Sequence, residues 1–342
     1  MTDKNHSFEP QPKSNSTSES SLTYDWQSEG MFYFSLGFYL KRRFGLSVRK
    51  ACVDARLGCP NRDGRVSTGG CIFCEPAAFC PTRRDGEPEN DDLQAIGTIT
   101  RQIDTTISAL RPADRDRAGV LAYFQPGTNT YGPLDRLESL FREAIAHPRV
   151  VGLAVGTRPD CIDAQVVEML QRVARDTWLS VELGVQSLDD DQLQWMNRGH
   201  DAQVSFDALR LCRQAGLRTC AHIILGLPGD TVMSAARTAT ALGQAGIASI
   251  KIHNLHVVRN TRLAELYHKG ELPLPTRDEY VDMVVALLEH LPPDCIIERL
   301  VGDAPPEYLI SPQWCRAKGE VRNAIVKRFQ SRGSRQGAKW KD

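Results

Sequence analysis

Residues 48–74 read VRKACVDARLGCPNRDGRVSTGGCIFC, an apolar run that ends in a Gly-rich loop carrying Cys59, Cys71 and Cys74. Five further runs follow: VLAYFQ from Val120, VVGLAVGTR from Val150, LSVELGVQS from Leu179, TCAHIILGLP from Thr219 and SIKIHNLHV from Ser249. They are short, β-branched and bounded by Gly or Pro, the mark of strands buried in a parallel sheet rather than of a half-exposed one. Between them lie stretches with helical spacing: LDRLESLFREAIA from Leu134, AQVVEMLQRVA from Ala164, SFDALRLCRQAG from Ser205 and AARTATALGQAG from Ala235. Gly216 and Gly246 fall where C-caps belong. Six repeats of strand then helix imply right-handed crossovers and predict an α/β fold, a partial parallel (β/α)6 TIM-type barrel. A doubly wound open sheet fits the same alternation.

Three thiolates on a loop point to an iron–sulfur cluster, because a cubane with three protein ligands leaves one iron open to a small molecule. Gly58, Gly64, Gly69 and Gly70 suit such a loop, which must turn tightly around a bulky group. A structural zinc ion is the competing reading. It normally takes four Cys or His ligands, and Cys80 follows Cys74 at a spacing outside the usual finger patterns. Disulfides are disfavoured by ten scattered cysteines and by the lack of a secretory signal. Cys52, Cys161, Cys212, Cys220 and Cys295 sit in apolar or helical contexts and are expected to be buried small hydrophobes; Cys80 and Cys315 stay unassigned.

The chain has 342 residues, 41% of them hydrophobic, enough for a substantial core. No apolar stretch approaches the eighteen or so residues that span a bilayer, so a cytoplasmic protein with no membrane partner is expected. Residues 1–30 hold seven serines and few apolar side chains, which predicts a disordered N-terminal tail. A core domain is expected over 31–290 and a C-terminal extension with a basic tail over 291–342. The net charge is zero, yet residues 316–342 carry nine Lys or Arg against Glu320 and Asp342. Lys327, Arg328, Arg332, Arg335, Lys339 and Lys341, with Phe329 and Trp340 interleaved, offer phosphate contacts and base stacking; a solvated surface is the plainer alternative.

Reactive groups in parallel barrels gather at the C-terminal strand ends, and the polar motifs here fall at those ends. The cysteine loop follows the first strand, Gln125 to Tyr131 the second, and Thr157, Arg158 and Asp160 the third. Glu182, Gln186 and Ser187 belong to the fourth strand, His222 to the fifth, and Lys251, His253 and His256 to the sixth. Lys251 inside a buried strand needs a partner to offset desolvation, and Glu182 is the candidate. His253 and His256 read as hydrogen-bonded core histidines, with a substrate role left open by their place at the barrel mouth.

Taken in order, CPNRDG, GGCIFC, YFQPGTNTY, TRPD, VELGVQS, NRGH, HIILGLPG and IKIHNLHVV resemble the radical S-adenosylmethionine superfamily. They are most similar to its YhcC/YtqA-like branch, itself similar to the radical domain of the Elongator catalytic subunit. The resemblance implies that Cys59, Cys71 and Cys74 bind a 4Fe-4S cluster whose open iron takes S-adenosyl-L-methionine, and that a 5'-deoxyadenosyl radical results. It places Gln186 and Arg198 at the cofactor's ribose and carboxylate, His222 near the ribose hydroxyls, and Gln125 to Thr130, Thr128 included, at the amine-binding turn. Arg158, Asp160 and Glu182 are further cofactor candidates, with an ion pair bracing the barrel rim as the other role for Arg158 and Asp160. Eleven residues separate the first two cysteines where most of the superfamily has three, a spacing that is normal for this branch. The Elongator acetyltransferase domain has no counterpart, so an acetyl-coenzyme A reaction is not carried over.

The resemblance also implies a low-potential electron donor of flavodoxin or ferredoxin type, tRNA as a partner and wobble-uridine modification as the reaction. A porphyrinogen-like small-molecule oxidation and a metal-stabilised RNA-binding protein without turnover are the alternatives.

Overall fold

The structure, a computed structural model, describes residues 24–79 and 98–341. Seven strands, β1 (Val48–Val53), β2 (Gly119–Phe124), β3 (Val150–Thr157), β4 (Trp178–Gln186), β5 (Arg218–Leu225), β6 (Ser249–Asn254) and β8 (Ile296–Arg299), form one sheet in that order. Every neighbouring pair is parallel. A two-stranded antiparallel pair, β7 (Val257–Val258) with β9 (Leu309–Ser311), sits beside it. The six expected strand–helix units are present in a half-barrel, and β8 adds a seventh strand to its edge.

The helices form where spacing and caps coincide. In Leu134–Ala146 the buried Leu137, Leu140, Phe141, Ala144 and Ile145 make one face against the sheet. Asp163 and Asp201 each accept a backbone N–H at the start of Ala164–Ala174 and Ala202–Gln214, and Thr231 with Ser234 closes a capping box on Val232–Gln244. Strands β2 and β3 are buried at every position, as a sheet covered by helices outside and side chains inside demands. Each large apolar side chain so enclosed contributes roughly 1.5–3 kcal/mol.

The open seam of the half-barrel is bridged. Lys50 of β1 meets Glu298 of β8 at 3.0 Å, and the Ile297 amide donates to the Phe34 carbonyl at 2.7 Å. The ordered chain also starts earlier than expected. Residues 1–23 lie outside the described residues, but Trp26, inside the stretch expected to be disordered, is buried and donates from Nε1 to the Pro293 carbonyl at 2.9 Å. Three aromatic rings, Tyr24, Phe34 and Tyr39, pack together there with centroids 5.1–6.1 Å apart. Their burial outweighs the polar composition of the segment before them.

The basic C-terminal stretch is no loose tail either. Lys318–Arg332 is a helix whose Val321, Ile325 and Phe329 are buried, and Phe329 stacks on Phe32. Beyond it, the Gln336 amide donates to the carbonyls of Pro292 and Cys295, both at 2.8 Å, and accepts from the Phe34 amide. Arg328 and Arg332 pair with Asp282, and Lys339 with Glu289. Trp340 lies against Gly243, where even a methyl group would collide with its ring. Base stacking by Phe329 is therefore not available, because that ring is fully buried, while Trp340 is half-buried. Gln336 binds just ahead of β8, which puts this strap at the N-terminal end of the sheet.

Candidate active site

At the opposite, C-terminal end of the strands lies a cavity of about 300 Å³. Cys59, Cys71 and Cys74 line it together with Gln125, Thr128, Arg158, Glu182, Gln186, Arg198 and His222. Five strand ends separated by up to about 160 residues of chain are thus brought to one place. Asp160 does not reach the cavity. Its carboxylate accepts from Arg158 Nε and Nη2, both at 2.9 Å, as an ion pair on the rim. Cys80 lies outside the described residues.

The cysteine loop is held by two asparagines that sequence reasoning passed over. Asn61 Nδ2 donates to the Asn197 carbonyl at 2.7 Å and contacts Cys71 Sγ at 3.5 Å, while Asn197 Nδ2 donates to the Gly70 carbonyl at 2.8 Å. Arg198 donates from Nη1 to Cys71 Sγ at 3.4 Å and from Nη2 to the Gly184 carbonyl at 2.6 Å. Arg158 in turn donates to the Arg198 carbonyl at 2.7 Å. CPNRDG, NRGH and TRPD are therefore one hydrogen-bonded unit around Cys71, with two donors aimed at its sulfur. Burial works against the Arg158 cation, but Asp160 and the nearby Cys59 and Cys71 outweigh it and raise its pKa.

Gln186 sits at φ 67° after a bulge in β4, a backbone state that costs a non-glycine residue about 1–3 kcal/mol. A Cβ on Gly184 would stand 2.8 Å from Gln186 Nε2 and 2.9 Å from Arg198 Nη2, so glycine is what lets both side chains close over the strand end. Gly127, in the turn after β2, has φ +74°, and a Cβ there would come within 2.3 Å of the Leu57 carbonyl oxygen. Gly127→Ala is expected to push that turn off the cysteine loop and weaken S-adenosylmethionine binding at least tenfold, as read by equilibrium dialysis; a mere loss of stability with unchanged affinity would refute the turn's role.

The cavity floor is ionic. Lys251 and Glu182, both buried, form the expected pair; Lys251 also approaches Glu298 at 3.6 Å and lies 4.2 Å from the centroid of the Tyr123 ring. His222 Nε2 is 2.9 Å from Glu182 Oε2, which fixes that imidazole as a donor to the carboxylate. Burial alone would raise the Glu182 pKa, but Lys251, then Lys50 and the His222 bond, hold it well below the usual carboxylate range. Burial pushes His222, His253 and His256 below the ordinary histidine range, which favours the neutral imidazole in all three. His253 and His256 line the cavity as well. Tyr123, Arg299 and Asp303 are lining residues with no distinguishing signal in the sequence. Among the cysteines expected to be buried, Cys212, Cys220 and Cys295 are so, Cys161 is half-buried and Cys52 is exposed. In β1, Ala51 and Val53 face the core and Cys52, between them, turns the other way, its thiol 3.4 Å from Gln125 Oε1. Cys315, left unassigned, is buried.

Three thiols, two guanidinium groups and a strained glutamine on the C-terminal rim of a parallel half-barrel define a cofactor-holding barrel. The chain belongs to the radical SAM superfamily: that family's model matches residues 58–242, and the Radical_SAM C-terminal domain matches 247–331. It is 38% identical to the uncharacterized protein YtqA of Bacillus subtilis (strain 168), over 89% of this chain and 92% of the relative. Protein YhcC of Escherichia coli (strain K12) is 34% identical over 81% and 85%. A tRNA uridine(34) acetyltransferase of Methanocaldococcus infernus is 28% identical over 48% of this chain and 31% of its own length. In fold, the chain is similar to Elp3 of Methanocaldococcus infernus, with a TM-score of 0.61 at 17% identity over 84% of this chain and 64% of that one.

The superfamily implies a 4Fe-4S cluster and S-adenosylmethionine, and the residues fit both. Nη1 of Arg158 and Nε of Arg198 are buried donors without a partner, as an incoming anionic group requires. Among the described residues no three His, Cys, Asp or Glu side chains gather tightly enough for a single metal ion. A cubane does not ask for that, since each thiolate meets a different iron. No helix among the described residues is long and apolar enough to cross a membrane.

Proposed function

We propose that this protein is a radical S-adenosylmethionine enzyme that modifies tRNA at the wobble uridine. The observation that carries the reading is the convergence of Cys59, Cys71 and Cys74 on one cavity with Gln186, Arg198 and Arg158. Cys59, Cys71 and Cys74 would hold the cluster. The Arg198 fork suits a carboxylate, and its unpaired Nε is the donor left for it. Arg158, fixed by Asp160, positions Arg198 through the Arg198 carbonyl. Gln186 and the turn from Gln125 to Thr128 flank the same space and supply polar contacts to the rest of the cofactor. When bound, the cluster and S-adenosylmethionine supply a 5'-deoxyadenosyl radical able to take hydrogen from an unreactive carbon. The apolar wall from Phe73, Phe79 and Ile224 keeps water from that step. The electron is assigned to a flavodoxin- or ferredoxin-type donor.

The tRNA part rests on the similarity to a tRNA uridine(34) acetyltransferase. Comparing nucleosides in tRNA from cells with and without this protein tests it. A wobble-position nucleoside is expected to give way to its precursor in the deletion strain. Unchanged tRNA nucleosides, beside a purified protein that forms 5'-deoxyadenosine, would direct the search to a small molecule.

A further inference from the structure

Charge is balanced almost everywhere along the β6–β8 side of the cavity. Glu182 and Glu298 are met by Lys50 and Lys251, and Asp303 is met by Lys318 at 2.7 Å. Arg299, at the end of β8, is the exception: it lines the cavity, is exposed, and its side chain makes no ion pair or hydrogen bond to a described residue. A cation with no internal partner at the wall of a cavity is disposed to meet an external anion.

Of the two imidazoles near Arg299, His256 has a definite hydrogen-bonding polarity. His256 Nδ1 lies 3.0 Å from the Asn254 carbonyl, which fixes the proton on Nδ1 and leaves Nε2 an acceptor; the Phe79 ring edges against this imidazole at 5.9 Å. His253 stacks on His222 at 5.7 Å, and a Cβ on Gly302 would stand 2.8 Å from its Nδ1. Its Nε2 is buried without a partner. Such an orphaned group costs stability unless a ligand satisfies it. A cation beside the His256 Nε2 acceptor offers more than a bare oxyanion can use. It matches a molecule carrying both an anion and O–H or N–H donors.

We propose that Arg299, His253 and His256 form a nucleotide-binding subsite, in which Arg299 takes a phosphate, His256 Nε2 accepts from a ribose hydroxyl or a base N–H, and the orphaned His253 Nε2 gains a hydrogen-bond partner. This deepens the tRNA reading by naming the substrate moiety, and it stands on residues other than those assigned to the cofactor.

The test uses the reconstituted protein saturated with S-adenosylmethionine, and measures binding of uridine 5'-monophosphate, uridine and inorganic phosphate by calorimetry. Uridine 5'-monophosphate is expected to bind more tightly than either fragment. Arg299→Ala should weaken it about tenfold or more and leave uridine unchanged, as expected for loss of one charge-assisted bond, and Arg299→Lys should restore part of the loss. His256→Phe should weaken the nucleotide and uridine alike and leave phosphate unaffected. Equal nucleotide affinity in Arg299→Ala, or phosphate binding as tightly as the nucleotide, would overturn the subsite. Unchanged tRNA nucleosides with an intact Arg299 effect would instead sink the tRNA reading alone.

Discussion

Replacing Cys59, Cys71 or Cys74 by Ala is expected to abolish both the broad 4Fe-4S absorbance of the reconstituted protein and its reductant-dependent formation of 5'-deoxyadenosine. With only three ligands, loss of one thiolate leaves two irons without protein anchorage. Cys212→Ala is the control. Cys212 is fully buried in a helix that packs on the sheet, with burial pushing its thiol up to about 12, so it is an inert hydrophobe. That variant should keep both signals and lose only about 1 kcal/mol of stability. Ultraviolet–visible spectra and nucleoside chromatography distinguish the outcomes, and retention of the cluster in Cys71→Ala would be fatal to the ligand assignment.

The second large effect is structural. Lys251→Met is expected to destabilise the fold by about 3–5 kcal/mol, because it strands the Glu182 carboxylate in a buried site. Urea unfolding of the single variant and of Lys251→Met with Glu182→Gln reads this directly, and the double variant should recover much of the loss. The pH dependence has a definite sign. Since the folded-state pKa of Glu182 is lowered, its stabilising contribution is present above the unfolded value of about 4.3 and disappears as pH falls through the folded value. The native protein should therefore lose this contribution only in acid, and a Lys251→Met protein no less stable than the native one would show the pair to be dispensable.

Much of this architecture is written locally. The helices over 134–146 and 164–174 follow from apolar spacing alone, and the rule that parallel barrels act at their C-terminal ends puts ten of the candidate residues on one cavity. The demand of a buried lysine for a partner was enough to link Lys251 with Glu182, 69 residues away. Other features were hidden because tertiary context decides them. Strand β8 is four residues with two charges at its end, too short for a pattern, and Arg299 becomes a cavity residue only through that strand. Trp26 and Phe329 gain their packing partners from distant segments, so polar neighbours in sequence concealed them. Asn61 and Asn197 lie in conspicuous motifs, yet their role is to hold one another across 136 residues.

The most direct measurement is iron and sulfide content of the anaerobically purified protein together with electron paramagnetic resonance of its reduced form. About four irons and four sulfides per chain, with a signal that changes when S-adenosylmethionine is added, is the expected result. A chain free of iron, or one whose cluster signal does not respond because a fourth side chain closes the open site, would contradict it.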